Sequence, residues 1–259
     1  MHVPPQPDAL CGPDEFAGAA VVLVGGALGS GPELLRAFAA SGARIVIGVT
    51  PAEDAAHAAS VAGAHPGVAC LPVDTDDETE VERFFDDCVA RLGGLDILVN
   101  VAAPVCTADA LEIHEARYRA VIARELMGPI LCIQAAARRM KERGAGRIVS
   151  FSSMSGKTGV HRHVAPYAAA KGGLIAYSRV LAAELAPYGI TVNVIATALF
   201  DVQVAGAGEA RMQEVAKGIP VGRVGKSIEA AHAVFYLASR HGAYVTGETL
   251  NLSGGRFMD

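Results

Sequence analysis

The sequence predicts an α/β fold, a single-domain, doubly wound parallel sheet with helices on both faces. Three observations carry that reading. Short apolar runs alternate with segments of helical spacing. Glycines punctuate the junctions between them. Hydrophobic residues make up 51% of the 259-residue chain and charged residues 19%, which suits a sheet buried on both faces and does not suit disorder.

Ala19–Val24 is an apolar run that stops at Gly25-Gly26-Ala27-Leu28-Gly29-Ser30-Gly31, and Pro32–Ser41 follows with helical spacing. Strand, glycine turn and helix in that order open a nucleotide-binding unit. The alternation continues through Ala43–Val49 (strand), Ala52–Ala62 (helix), Val68–Val73 (strand), Asp77–Leu92 (helix) and Leu95–Val101 (strand). In the second half, long helices over Ala116–Arg143 and Ala165–Pro187 flank a strand at Arg147–Ser152, and Thr191–Ile195 is another strand. The pattern lapses over Thr197–Gly208. It resumes as helices at Glu209–Lys217 and Ile228–Arg240, before a last strand at Thr249–Leu252. Gly42, Gly67, Gly93, Gly146 and Gly189 stand before several of these strands, where helices need C-terminal caps.

Residues 1–17 hold four prolines and read as a flexible arm; residues 18–259 read as one domain, with a loop region at about 197–220 closing over the site. A net charge of −5 offers no basic face to nucleic acid or anionic membrane. Five dispersed cysteines show neither a C-x-x-C pair nor zinc-like spacing, so reduced thiols and no metal are expected. With no secretory pattern at the start and no unbroken apolar stretch of about 18 residues, a cytoplasmic protein is expected.

The chemistry concentrates in Tyr167-Ala168-Ala169-Ala170-Lys171. In a helix, residues i and i+4 share a face, so Lys171 sets a positive charge beside the Tyr167 hydroxyl. A phenol with an ordinary pKa of about 10 needs such a neighbour to exchange protons near neutrality. This is general acid/base equipment for a carbonyl or alcohol. The spacing Gly25-x-x-x-Gly29-x-Gly31 allows a tight turn and close backbone approach to a pyrophosphate at a helix N-terminus.

Together these two motifs resemble the short-chain dehydrogenase/reductase family, and the resemblance runs from about residue 19 to 257. It is carried further by Val73-Asp74, by Leu95–Asn100, by Gly146–Val149 followed by Ser152-Ser153, by Gly189–Asn193 and by Thr246–Gly255. The resemblance implies a Rossmann-like sheet of about seven strands in the order 3-2-1-4-5-6-7. It implies NAD(P)-dependent interconversion of a ketone and a secondary alcohol. Ser153 would orient the substrate oxygen, Tyr167 act as acid or base, and Lys171 hold the nicotinamide ribose while lowering the tyrosine pKa. Cofactor contacts would come from Gly25, Leu28, Gly29, Ser30, Gly31, Val49, Thr50, Asp74, Asn100, Ala102 and Thr197, besides Tyr167 and Lys171. Met154, a candidate substrate contact, stands at the family's usual serine distance from Tyr167; His161 and His163, in the loop before Tyr167, are either exposed-loop residues or substrate contacts, and Phe200 either lines an apolar substrate pocket or packs the lid on the body. A homodimer or homotetramer is implied, with Ala135-Ala136-Ala137 allowing close helix approach between subunits.

Three departures stand out. Val24 replaces the family's threonine, Asn100-Val101-Ala102-Ala103 its Asn-Asn-Ala-Gly, and Thr197-Ala198 its Pro-Gly. Glu125 falls where the catalytic tetrad has asparagine; a carboxylate there can carry a proton-relay water or compete for the Lys171 ammonium. These changes keep a second function open, a redox-neutral lyase-like enzyme or ligand-binding protein of the same fold. After the second strand, Val49-Thr50-Pro51 offers neither an acid for ribose hydroxyls nor an arginine for a 2′-phosphate, which gives a slight preference for NADP(H) over NAD(H).

Overall fold

The computed structural model describes residues 14–102, 105, 107–159, 161–204, 206 and 208–259. Strand β1, Ala20–Val24, is buried along its whole length. Its side chains alternate between two cores, with Ala20, Val22 and Val24 in one and Val21 and Leu23 in the other. A strand apolar on both faces must be covered on both, so parallel neighbours and helical crossovers follow. β1 pairs in parallel with β2 (Arg44–Val49) on one side and β4 (Ile97–Asn100) on the other. With β3 (Ala69–Pro72), β5 (Gly146–Ser153), β6 (Ile190–Thr197) and β7 (Thr249–Leu252), the order is β3-β2-β1-β4-β5-β6-β7. The order reverses at β1/β4, and an open α/β sheet binds ligands beyond its strand ends at such a point.

One core lies under α3 (Glu78–Leu92), α5 (Gly128–Arg143) and α6 (Ala165–Leu185), with Phe84, Phe85, Ile133, Met140 and Leu174 among its buried side chains. The other lies under α1 (Gly31–Ala40), α2 (Ala55–Gly63) and α9 (Ser227–Ala238). α2 starts three residues later than its sequence pattern suggests, because Asp54 caps it by accepting from the Ala56 and His57 amides at 2.8 and 3.0 Å.

Several expectations change. The first thirteen residues of the anticipated arm lie outside the described residues, but Asp14–Ala17 form a turn on the folded body. There Phe16 is 4% exposed and its ring lies 5.0 Å from that of Phe38 and 4.7 Å from that of Phe235. Ala135, Ala136 and Ala137 are buried within the protomer's own core and do not form a surface for another subunit. The long helix is interrupted: α4 (Glu115–Ile122) passes through a π-turn at Ala123–Met127 into α5. Among the described residues this combined span is the one helix long and apolar enough to cross a membrane; it packs on the sheet instead, with the core side chains of α5 buried. The patternless stretch after β6 contains a short helix, α7 (Asp201–Val204), ahead of α8 (Glu209–Lys217).

Candidate active site

The first βα turn sets one wall of the site. Gly25 has φ +76°, a left-handed conformation natural to glycine. A Cβ on Gly31 would sit 2.3 Å from the Gly26 carbonyl oxygen, so only glycine lets α1 begin this close to the turn. Beside this turn lies a cavity of about 300 Å³ lined by Gly25, Leu28, Thr50, Asn100, Arg124 and Lys171, among others. A second, of about 520 Å³, is lined by Gly29, Ser30, Ala102, Tyr167, Thr197 and Phe200, among others. Val101 and Phe151 line both, so the two adjoin along the C-terminal ends of the central strands.

Pro166 in the first turn of α6 fixes the helix start and places Tyr167 one turn ahead of Lys171. The Lys171 Nζ lies 5.6 Å from the centroid of the Tyr167 ring and donates to the Phe151 carbonyl at 3.2 Å. Both residues are buried, Tyr167 at 3% and Lys171 at 1% exposure. Ser153 ends β5, accepts from the Ser155 amide at 3.1 Å and stands close enough to the Tyr167 phenol to draw its pKa down. Its neighbour Ser152 donates instead to the Lys171 carbonyl at 3.0 Å and so ties β5 to α6.

Glu125 projects inward from the π-turn, a geometry that recurs at functional sites. Its Oε2 lies 3.0 Å from Lys171 Nζ and its Oε1 accepts from Arg124 Nε at 2.8 Å. Burial pushes the Tyr167 phenol above its ordinary value; Lys171 draws it down, Glu125 pushes it up again, and Ser153 and Arg124 draw it down. The net shift is upward. That is the opposite of the lowered phenol implied by the family resemblance, with burial the largest cause and Glu125 adding to it.

The remaining sequence-predicted residues divide. Asn100 is 4% exposed and its Nδ2 donates to Ser150 Oγ at 3.1 Å, while its Oδ1 is buried at the cavity wall without a partner among the described residues. Thr197 Oγ1 donates to the Ser152 carbonyl at 3.3 Å. Val49 packs against the core below α1. Asp74 is exposed and accepts from the Asp76 amide at 3.0 Å; Thr75 and Asp76, not Asp74, line the cavity. Met154 is fully buried. His161 Nδ1 lies 2.9 Å from Ser155 Oγ, and burial lowers its pKa. His163 is exposed, 3.7 Å from Asp109. None of these last three lines either cavity. Among the described residues no cluster suited to a metal is present.

Sequence reasoning missed Glu53. Its Oε1 accepts from the Ala27 amide at 2.9 Å, inside the glycine turn, and its Oε2 accepts from the Thr50 amide at 2.7 Å and the Thr50 hydroxyl at 3.2 Å. An acid just ahead of a helix cap was the available signal.

An α/β sheet with a glycine turn at its switch point and a buried Ser-Tyr-Lys set beside it is an arrangement suited to a dinucleotide-dependent oxidoreductase. Comparison with known proteins agrees. The family model described as enoyl-(acyl carrier protein) reductase matches residues 26–256. The chain is 34% identical over 244 residues to the 3-oxoacyl-[acyl-carrier-protein] reductase FabG of Escherichia coli, covering 94% of this chain and 99% of that one. It is 35% identical to a D-threitol dehydrogenase of Mycolicibacterium smegmatis, covering 92% of each. A crystal structure of a short-chain type dehydrogenase/reductase from Mycobacterium marinum superposes with a TM-score of 0.83 at 26% identity, covering 94% of this chain and 97% of that one. The chain belongs to the short-chain dehydrogenase/reductase family.

Proposed function

We propose that the protein interconverts a ketone and a secondary alcohol on a small molecule with NAD(P)(H), Tyr167 serving as general acid and base. The observation that carries this reading is the buried contact of the Tyr167 hydroxyl with Ser153, with Lys171 one turn away, beside the glycine-turn cavity. The residues present suit a dinucleotide. A Cβ at Gly31 would clash with the Gly26 carbonyl and one at Gly25 would be strained by its positive φ, and the Asn100 Oδ1, without a partner among the described residues, offers an acceptor at the cavity wall. Gly25, Leu28, Gly29, Ser30 and Gly31 would hold the phosphates, Thr50 the adenosine end, and Asn100, Ala102, Thr197 and Lys171 the nicotinamide end. When bound, the nicotinamide gives or takes the hydride.

In the reducing direction, Tyr167 donates its phenolic proton to the carbonyl oxygen while Ser153 Oγ–H donates a hydrogen bond to the same oxygen. Lys171 stabilises the phenolate left behind, and Glu125, in place of an amide, holds that ammonium at 3.0 Å. Phe200 and α7 stand over the second cavity, where they would exclude water from the reacting oxygen. A redox-neutral role is less favoured, because the glycine turn and the Ser153, Tyr167, Lys171 set are complete. A cytoplasmic homodimer or homotetramer goes with this reading.

Replacing Tyr167 by Phe tests it. Turnover of ketones should fall by about 10³-fold, with dinucleotide binding nearly unchanged. Substantial remaining turnover in Tyr167→Phe would overturn the assignment.

A further inference from the structure

The carboxylate of Glu53 already occupies an anion seat. Its two oxygens take three donors, the Ala27 amide at 2.9 Å and the Thr50 amide and hydroxyl at 2.7 and 3.2 Å. These donors come from the first βα turn and from the end of β2, two neighbouring strands beside the switch point. Amides of a glycine turn are the equipment with which such folds hold phosphoryl groups. Thr50 also lines the wall of the 300 Å³ cavity, together with Pro51 and Ala52.

The cations of that cavity sit elsewhere. Its basic lining residues are Arg124 and Lys171, and both are engaged by Glu125. A 2′-phosphate brings a charge of about −1.5 to −2, so at the Glu53 end it would meet a like charge and donors already committed. A free 2′-hydroxyl is a donor, and a carboxylate is the acceptor it needs.

We propose that Glu53 is a specificity-determining residue that selects NAD(H) over NADP(H) by filling the place a 2′-phosphate would need. This rests on the dinucleotide reading of the site and reverses the slight NADP(H) preference suggested by Val49-Thr50-Pro51. The acid that those three positions lack arrives four residues after β2 and folds back to its end.

The test is a pair of binding titrations with NADH and NADPH, followed by nicotinamide fluorescence in a chain that contains no tryptophan. The native protein should bind NADH at least tenfold more tightly, about 1.4 kcal/mol. Glu53→Gln, which keeps the shape and removes the charge, should narrow that ratio to within about threefold, with folding checked by circular dichroism. A variant-free arm displaces bound NADH from the native protein with ADP or with 2′-phospho-ADP; ADP should compete at least tenfold better. Equal or tighter NADPH binding by the native protein overturns the proposal, as does a ratio that Glu53→Gln leaves unchanged in a folded variant. If neither dinucleotide binds, the dinucleotide reading itself fails and Glu53 loses its role with it. If Glu53→Gln does not fold, the displacement arm alone decides.

Discussion

The Glu125 Oε2 lies 3.0 Å from the Lys171 Nζ, and the two side chains are 1% and 2% exposed. Lysine beside tyrosine lowers the phenol; lysine claimed by a carboxylate does so less. Glu125→Asn should therefore let Lys171 act more fully on Tyr167, whose pKa is raised by burial and by Glu125. The base-requiring limb of the pH profile for alcohol oxidation should move to lower pH. A profile that stays in place, with the variant folded, would show that Glu125 does not act on the phenol.

Lys171 has a structural stake as well as a chemical one. Lys171→Ala would leave Glu125 buried with Arg124 as its remaining ion-pair partner. Breaking a buried pair from one side costs about 3–5 kcal/mol, which urea unfolding should register. Lys171→Met combined with Glu125→Leu should recover most of that stability without restoring turnover. Native-like stability in Lys171→Ala alone would refute the buried-pair account.

At the start of α9, Glu229 accepts from Arg223 Nη1 and Nη2 at 2.8 and 2.7 Å and from the Lys226 amide at 2.8 Å. These contacts lower its pKa from 4.5 to about 2. The folded value lies below the unfolded one, so the contribution is complete above pH 4.5 and fades as pH falls toward about 2. The urea midpoints of the native protein and Glu229→Gln should differ by a constant amount near neutrality and converge toward pH 2. A gap that persists at pH 2 would assign the stabilisation to something other than this carboxylate's charge.

Strand and helix periodicity made most of the fold legible. The last strand and the Glu209–Lys217 helix fall where the pattern placed them. What escaped was tertiary or too small to repeat. The four residues of α7 hold about one turn, too few to establish a period. Phe16 sits in a proline-rich setting that suggests a loose arm, and its burial depends on Phe38 and Phe235, which come from far along the chain. In the candidate site, Glu125 beside Lys171 was readable because family spacing located it. Glu53 was not, since its contacts with Thr50 and the more distant Ala27 arise when the turn after β2 folds back. His163 failed for the converse reason: nearness in sequence to Tyr167 does not make a side chain share its cavity.

The π-turn at Ala123–Met127 changes the phase of a helix. Each residue of an α-helix advances the side chains by about 100°, and a π-turn in effect inserts one more residue. The segment upstream, α4, buries Val121 alone, whereas α5 downstream buries a continuous stripe from Gly128 to Met140. The insertion lets one rod obey two masters, the sheet below α5 and the Tyr167 pocket beside Val121. Closing that turn to regular α geometry with the residue count unchanged would rotate one half against the other by about a quarter turn. With α5 pinned in the core, the upstream half would have to turn, and the match between Val121 and the Tyr167 pocket would be lost. That match is thus encoded by the count of residues in one turn as much as by their identities.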